Sequence, residues 1–395
     1  MKGSDRLYTM SRVTSPTLVR ACAAIALAIS VWTAVPSAHK TVVSRYTFHH
    51  DVLPILKARC AACHADGAVA FPLATYPQVK SASWQIQQAL VSGRMPVWDA
   101  EPLAVPFEGS RAMSAKELDI LMTWAAGSAP EGAPVAVPVP HATPAALSAT
   151  TTLDMPEPFT LAADRREADN EVAWPADQLA GQWIKAADVV PGDPRVVRRA
   201  SVMIRSGAGD QVVSLWIPGD EPQALSGGGA FQVPPGAVIV LSIHYQQPSE
   251  NPITTTDRSR VRLYAASPAT AHAVRSITIE GAGDWPYGAT RVFTQVFDAP
   301  VRIAALRPVS GPIDSRAALA LIGPDGRRVP LARLVLRPEW PRRYVFDRPI
   351  AVAAGSRIEA AVTASYGVAW ATLTDDRGVG PIEGSIFRLV LESIR

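Results

Sequence analysis

The pentapeptide Cys60-Ala61-Ala62-Cys63-His64 constrains this chain more than any other stretch of its sequence. Two thiols three positions apart lie on one helical turn, where they can add to the two vinyl groups of a haem. The histidine that follows can then reach the iron from the proximal side. The sequence therefore predicts one covalent haem c, anchored by Cys60 and Cys63 and ligated by His64.

Two other kinds of site use paired cysteines. A thioredoxin-like redox pair requires a βαβ context, and a structural zinc site requires further ligands from elsewhere in the chain. The chain has 3 Cys, and the remaining one, Cys22, lies in the first apolar segment. Both alternatives are therefore weaker interpretations than haem attachment.

Residues 1–38 have the pattern of a secretory signal peptide. Four basic residues precede an apolar run over residues 21–35 and a small-residue exit at 36–38. The run is short for a membrane span. We therefore predict export to the periplasm, or a membrane-anchored protein if the signal stays uncleaved. Export agrees with the pentapeptide, because haem is attached to c-type cytochromes on the far side of the membrane.

The charge balance excludes one class of partner. The predicted leader accounts for the whole formal net charge of +3, so the rest of the chain is near neutral. It lacks the basic footprint of a nucleic-acid-binding surface, and we expect no such partner. With 35 Pro, 26 Gly and 48% hydrophobic residues, the composition fits a folded chain rich in loops and strands.

Residues 42–132 have helical periodicity. Asp51 can cap a first helix, and residues 77–90 form a second. Ser114 and Glu117 form a capping box for a third helix, which Gly127 ends. The pattern predicts a small all-α domain around the pentapeptide.

A proline-rich loop over residues 93–113 connects the second and third helices. A loop of this length without secondary structure is usually functional, and here it can wrap the open face of a haem. Met95 lies in this loop, and Met113 lies at its end.

Residues 133–153 are rich in Ala, Pro, Thr and Val and predict a semi-extended linker. After the linker, short β-branched runs alternate with turn residues and no helical pattern intervenes. Pro324-Asp325-Gly326 between two such runs predicts a hairpin turn. Strands at this spacing predict two antiparallel sandwiches, over residues 154–268 and 269–395.

Further segments accompany the pentapeptide: Asp-Val-Leu-Pro-Ile-Leu at 51–56, Gly-Arg-Met-Pro-Val-Trp at 93–98, and Trp124 with Gly-Ser-Ala-Pro-Glu-Gly at 127–132. Together they resemble small bacterial c-type cytochrome domains, which are often fused to other periplasmic modules. The resemblance implies that Met95 is the distal iron ligand opposite His64. It also implies that Trp98 and Trp124 pack against the haem.

The β region resembles a different family. Segments at 189–200, 241–261 and 301–328 are similar to the two-domain copper type II ascorbate-dependent monooxygenases, the group that includes peptidylglycine hydroxylase. The resemblance implies two jelly-roll-like sandwiches. With the helical segment, it predicts a multidomain fold: a small all-α cytochrome c domain followed by all-β antiparallel jelly-roll-like sandwiches.

The copper ligands of that family are largely missing. Arg198 and Arg199 stand where it has paired histidines, and residues 309–311 are Val-Ser-Gly where it has His-x-His. His244 is the one expected ligand that matches. One imidazole cannot hold a catalytic copper, and arginine cations repel the ion. We therefore expect no bound copper and no catalytic residues in the β region.

These observations predict a periplasmic mono-haem protein that transfers single electrons, with catalytically inactive β-domains as a docking scaffold. Its partner would be a redox protein in the periplasm or at the membrane surface, and we expect no small-molecule substrate. Two alternatives stay open: a haem-fed redox enzyme and a haem-based sensor with five-coordinate iron. His49 and His50, which precede the first helix, could supply bis-histidine ligation instead of Met95.

Overall fold

A computed structural model gives the structure over residues 43–68, 70–135, 148–248, 252–282, 285–286, 288–312, 315–337, 340–364 and 386–394. The predicted signal peptide lies outside the described residues, as do residues 136–147 of the predicted linker. The predicted domain boundaries after the linker stay predictions. In the described ranges, no helix is both long enough and apolar enough to span a membrane.

The helices are short and lie mostly in the first part of the chain. They are α1 (Leu53–Arg59), α2 (Ala61–His64), α3 (Tyr76–Ser81), α4 (Ser83–Val91) and α5 (Ala115–Ala126), with a π-helical turn at Phe48–Val52 and 3₁₀ turns at Asp177–Leu179 and Ser226–Gly228.

Strands dominate the structure. They are β1 (Ala100–Pro102), β2 (Thr151–Asp154), β3 (Phe159–Leu161), β4 (Glu167–Pro175), β5 (Trp183–Val190), β6 (Val197–Ser206), β7 (Gly209–Trp216), β8 (Gly229–Gln232), β9 (Val238–Gln246), β10 (Thr255–Asp257), β11 (Arg260–Ala266), β12 (His272–Gly281), β13 (Thr290–Phe297), β14 (Val301–Ser310), β15 (Arg316–Ile322), β16 (Arg328–Val335), β17 (Tyr344–Val352), β18 (Ser356–Thr363) and β19 (Phe387–Ile394).

The predicted fold class is wrong in its first part, because the structure contains no small all-α cytochrome domain within the described residues. Of the residues that it describes, 45% lie in strands and 16% in helices. The predicted loop at 93–113 contains strand β1, which pairs antiparallel with β16 through Ala100 and Leu334. Phe107, from the same loop, forms a β-bridge with Phe346.

The reason for this difference is non-local burial. Ala100, Val105 and Phe107 are all less than 10% exposed and belong to the hydrophobic core of the later strands. Burying them against distant strands stabilises an extended conformation that their own short sequence does not specify. The helical periodicity of residues 42–132 carries no information about distant strands that these residues pair with. From this periodicity alone, the segment is predicted as a separate helical domain.

The helix boundaries follow local signals in part. The capping box that opens α5 is confirmed: Glu117 N–H donates to Ser114 Oγ at 3.2 Å, and Ser114 N–H donates to the Glu117 carboxylate at 2.7 Å. The predicted helix at 77–90 is instead two helices, which meet at Ala82 with φ −92° and ψ 4°. Asp51 is not an N-cap, because it lies inside the π-helical turn and accepts from Thr47 N–H at 2.8 Å.

The strands form four sheets within the described residues. A five-stranded sheet has the order β1-β16-β15-β18-β13, an eight-stranded sheet has the order β17-β14-β19-β12-β8-β5-β11-β2, and the smaller sheets are β4-β9-β6-β7 and β10-β3. Every pairing is antiparallel except that of β8 with β12, where His272 pairs with Gly229. This pairing joins strands from both predicted sandwiches into one sheet.

Three hydrophobic clusters hold the described chain together. One lies among the helices and includes Phe48, Leu56 and Trp124. The second packs the sheet β4-β9-β6-β7 against β5 and β11, and the third packs the five-stranded sheet against β14 and β19. The segment that contains β1 leaves the helical cluster after α4 and contributes Ala100, Val105 and Phe107 to the third cluster.

Candidate functional site

Residues of the helical segment form most of the lining of a cavity of about 240 Å³. An apolar cavity of roughly 150 Å³ is already large enough to hold benzene, so this one has room for a larger apolar group. Most of the lining is apolar. It comprises Leu56, Arg59, Cys60, Ala62, Cys63, His64, Phe71, Leu73, Gln85, Ile86, Ala89, Leu90, Met95, Pro96, Val97, Arg111, Met113, Leu121 and Ile217.

Four residues that the sequence singled out meet in this cavity. Cys60, Cys63 and His64 come from the start and the end of α2, and Met95 comes from the loop after α4. The two thiols and the imidazole are fixed by one helical turn, whereas Met95 reaches the cavity from a segment thirty residues away in sequence. The structure thus brings together the proposed anchors and both proposed axial ligands, whose roles toward a haem stay predictions.

The His64 ring is held in one orientation. It is 8% exposed, and its Nδ1 lies 2.8 Å from the carbonyl oxygen of Phe71. A carbonyl can only accept, so Nδ1 carries the proton and Nε2 keeps its lone pair. Burial lowers the pKa of His64, although the bond to Phe71 opposes the shift. The neutral ring with a free Nε2 is the form that binds a metal, and a carbonyl partner on the other nitrogen is typical of metal-binding histidines.

The two thiols are free rather than joined in a disulfide. Burial raises the pKa of Cys60 to about 12 and also raises the pKa of Cys63. Redox-active Cys-x-x-Cys pairs have lowered thiol pKa values, so these surroundings do not favour a thioredoxin-like pair. For a zinc site, the described residues offer no group of three or more His, Cys, Asp or Glu side chains that could hold a metal ion.

Two methionines line the cavity. Met95 and Met113 both line it, and Met113 lies just before α5. Pro96 and Val97 follow Met95 along the same wall. The structure therefore supplies a second candidate for the distal position, and the choice of Met95 rests on the sequence resemblance.

The structure places the two predicted tryptophans outside the lining of the cavity. Trp98 packs edge-on against Tyr344 at 5.2 Å between ring centroids, and its Nε1 donates to the Ala100 carbonyl at 2.7 Å. Trp124 is fully buried among the helices and donates to the Pro130 carbonyl at 2.9 Å. Packing against a haem stays a prediction for both residues.

The other histidines considered from the sequence have carboxylate neighbours. His49 Nε2 lies 3.4 Å from Glu131, and His50 Nδ1 lies 3.0 Å from Asp51. His244 Nδ1 lies 2.8 Å from Asp169, its partner across the ladder of β4 and β9. None of these three histidines lines the cavity.

One wall of the cavity comes from the β region, which sequence reasoning missed. We call this wall the 217–220 turn, after its residues Ile217, Pro218, Gly219 and Asp220. Ile217 lines the cavity, and Cys63 Sγ donates to the Pro218 carbonyl at 3.3 Å. The only signal in the sequence is a Pro-Gly pair typical of a turn, and nothing in it indicates contact with the pentapeptide.

Two arginines of the lining were also missed. Arg59 lies on α1 beside the pentapeptide, and its Nε donates to Glu117 at 3.1 Å. Arg111 Nη2 lies 3.0 Å from Asp220 Oδ1 and also donates to the Gly219 carbonyl. The ion pair between Arg111 and Asp220 therefore links the loop before α5 to the 217–220 turn.

Comparisons with known proteins leave the function of this site open. No protein-family model matches the sequence, and no curated protein matches it. Among solved structures, the major capsid protein of bacteriophage PM2 matches at 9% identity and a TM-score of 0.27, covering 62% of this chain and 96% of the capsid protein. A turret protein of Sulfolobus turreted icosahedral virus matches at 12% identity and a TM-score of 0.17, with coverages of 61% and 98%. Similarities this weak carry no argument about fold or function.

Proposed function

We propose that this chain is an exported c-type haem protein that transfers single electrons. The observation that carries the proposal is the cavity that gathers Cys60, Cys63, His64 and Met95 within a mostly apolar lining. In this proposal Cys60 and Cys63 anchor one haem covalently, while His64 and Met95 are its axial ligands. When bound, the haem would supply a one-electron couple whose potential is raised by a histidine and methionine ligand pair.

The residues of the chain have separate tasks in this proposal. The Phe71 carbonyl holds the His64 ring so that Nε2 faces away from that hydrogen bond. Leu121, which is 1% exposed, and Ile86 form apolar parts of the lining and limit the access of water. An apolar shell of this kind controls the dielectric constant around a metal and therefore its potential.

The β region is proposed to act as a docking scaffold without chemistry of its own. Support comes from the sequence, in which Arg198 and Arg199 replace two expected copper ligands. The proposal excludes bound copper and a small-molecule substrate. It assigns a redox protein of the periplasm or membrane surface as the partner. The full chain, dialysed and measured by elemental analysis, should contain no copper. One tightly held copper per chain, lost in His244→Ala, would revive the enzyme alternative.

The first experiment tests covalent attachment. The full chain, produced in a host with cytochrome c maturation, should keep its haem through denaturing gel electrophoresis. Its pyridine haemochrome should show both vinyl groups saturated, and Cys60→Ser should leave one unsaturated vinyl. Extraction of the haem from the wild-type polypeptide by acid acetone would refute the proposal.

The second experiment tests the distal ligand, with Met113 as a matched control because it lines the same cavity. The ferric protein should show the weak sulfur-to-iron charge-transfer band, and Met95→Ala should lose it while Met113→Ala keeps it. The reverse result would assign the ligand to Met113. Ready binding of carbon monoxide by the reduced wild-type protein at neutral pH would instead favour the five-coordinate sensor.

A further inference from the structure

Several charged groups lie near Cys63, and one of them, Arg111, lines the cavity. Arg111 Nη2 and Arg342 Nη2 lie 3.0 Å and 3.3 Å from the same oxygen, Asp220 Oδ1. The pair with Arg342 is an ion pair by distance, without the alignment of a hydrogen bond. Arg198 stacks over the ring of Trp340 at 4.1 Å. We call Arg111, Arg198 and Arg342 the arginine cluster.

The cluster carries an excess of positive charge. Among the described residues, its three guanidinium groups and the Asp220 carboxylate act electrostatically on Cys63. The other charges that act on Arg198 are Arg199 and Glu167, which have opposite signs. Among the residues that the structure describes, three cations thus face one counter-charge near Cys63. The Arg342 and Asp220 side chains are 10% and 17% exposed, so solvent screens them less than it screens surface charges.

The 217–220 turn, which pairs with Arg111 and Arg342 through Asp220, packs against the pentapeptide. Gly219 lies so close to Ala62 that a Cβ at position 219 would come within 3.0 Å of the Ala62 Cβ. This packing is the contact that remains in the haem-loaded chain, because covalent attachment removes the Cys63 S–H that donates to the Pro218 carbonyl. Arg111 donates to the Gly219 carbonyl, which ties the turn to the loop before α5. The position of Asp220, and through it that of Arg342, therefore depends on this contact.

We propose that the arginine cluster, to which the β region contributes Arg198 and Arg342, raises the reduction potential of the haem. This inference rests on the proposed function. Ferric haem carries one more positive charge than ferrous haem, so nearby fixed cations destabilise the ferric state. The β region then has an electrostatic role, and Arg198 contributes to it from the position where the resembled monooxygenases carry a copper ligand.

The test measures reduction potentials by spectroelectrochemistry on the full haem-loaded chain. Arg198→Gln and Arg342→Gln should each lower the potential by about 59 mV, which corresponds to about a tenfold change in the ferric–ferrous equilibrium for one unit charge at close range. Asp220→Asn should shift it upward, because this variant removes the counter-charge. Arg198→Lys should keep the wild-type potential, since it retains the cation.

Arg205→Gln is the matched control. Arg205 lies on β6 like Arg198, but it is 39% exposed and pairs with Glu171 and Asp210. Its removal should leave the potential unchanged. A loss of folding would not produce opposite shifts in Arg198→Gln and Asp220→Asn, so these signs separate electrostatics from general destabilisation.

The outcomes also separate this inference from the proposed function. Covalent haem with equal potentials in wild type, Arg198→Gln, Arg342→Gln and Asp220→Asn would overturn the inference and leave the proposed function standing. Shifts of the same sign in Arg198→Gln and Asp220→Asn would overturn it as well. A wild-type chain without covalent haem would overturn both.

Discussion

The contact between Gly219 and Ala62 makes the most direct prediction about how the site is assembled. Gly219 has φ +77°, a left-handed conformation that side chains with a Cβ rarely adopt. A Cβ at this position would also come closer than 3.0 Å to the Ala62 Cβ, inside the pentapeptide. Gly219→Ala should therefore push the 217–220 turn away from Cys63.

Gly219→Ala lowers the free energy of unfolding through two separate effects, the backbone conformation and the contact with Ala62. The left-handed conformation costs roughly 1–2 kcal/mol for a residue with a Cβ. Overpacking against Ala62 adds typically 1–3 kcal/mol. The sum of about 2–5 kcal/mol is a large part of the roughly 5–15 kcal/mol that stabilises a natural fold. Gly236 is the matched control, since it has φ +69° and a Cβ there would meet no described atom within 4 Å, so Gly236→Ala should incur only the conformational cost.

Chemical denaturation followed by tryptophan fluorescence measures the difference. We expect Gly219→Ala to lower the free energy of unfolding by about 1–3 kcal/mol more than Gly236→Ala does. Ala62→Gly removes the opposing methyl group and, as a helical substitution, costs about 1 kcal/mol by itself. The double variant Gly219→Ala with Ala62→Gly should regain the free energy of unfolding that the clash removes. This gain appears as a coupling free energy in the double-mutant cycle. Equal destabilisation by Gly219→Ala and Gly236→Ala, or strict additivity with Ala62→Gly, would refute the proposed docking of the turn.

Two further predictions concern charged groups. Glu392 is 1% exposed and lies 2.6 Å from Arg343 and 3.4 Å from Arg307. Glu392→Gln should lower the free energy of unfolding by about 3–5 kcal/mol, because it leaves buried cations without their counter-charge. A loss below about 1 kcal/mol in a denaturant titration would contradict this. Partial burial raises the pKa of Glu117, but hydrogen bonds, above all from Ser114, lower it below its ordinary 4.5 overall. The stability that Glu117 contributes is therefore present above pH 4.5 and lost as the pH falls through the lower folded-state value, and Glu117→Gln should flatten this acid limb of a stability–pH profile.

Features specified by neighbouring residues could be predicted from the sequence. The capping box of α5 needs only Ser114 and Glu117, three positions apart, and both of its hydrogen bonds are present. The turn at Pro324-Asp325-Gly326 is also confirmed, with Gly326 at φ +80° and its N–H donating to the Gly323 carbonyl at 2.9 Å. In both cases the physical cause is complete within a few residues of chain.

Features that depend on distant partners could not be predicted in the same way. Strand β1 has three residues, too few for an alternating pattern, and it exists because β16 supplies hydrogen bonds from more than 200 positions later in the chain. The error of a separate all-α domain has this origin. The break at Ala82 is a different error, because an uninterrupted apolar periodicity across residues 77–90 gave no sign of it.

The candidate site combines both situations. Cys60, Cys63 and His64 lie within five consecutive residues, so one helical turn sets their geometry, and the haem chemistry assigned to them stays a prediction. Ile217 of the 217–220 turn and Arg111 of the arginine cluster line the same cavity through long-range packing, which the sequence does not show. Arg198 illustrates the consequence: in the sequence it is a missing copper ligand, whereas in the structure it is a cation near Cys63. In the proposed function, an arginine at this position binds no copper and places a charge near the proposed haem. For this reason we expect the β region to act through the reduction potential of the haem rather than through copper binding.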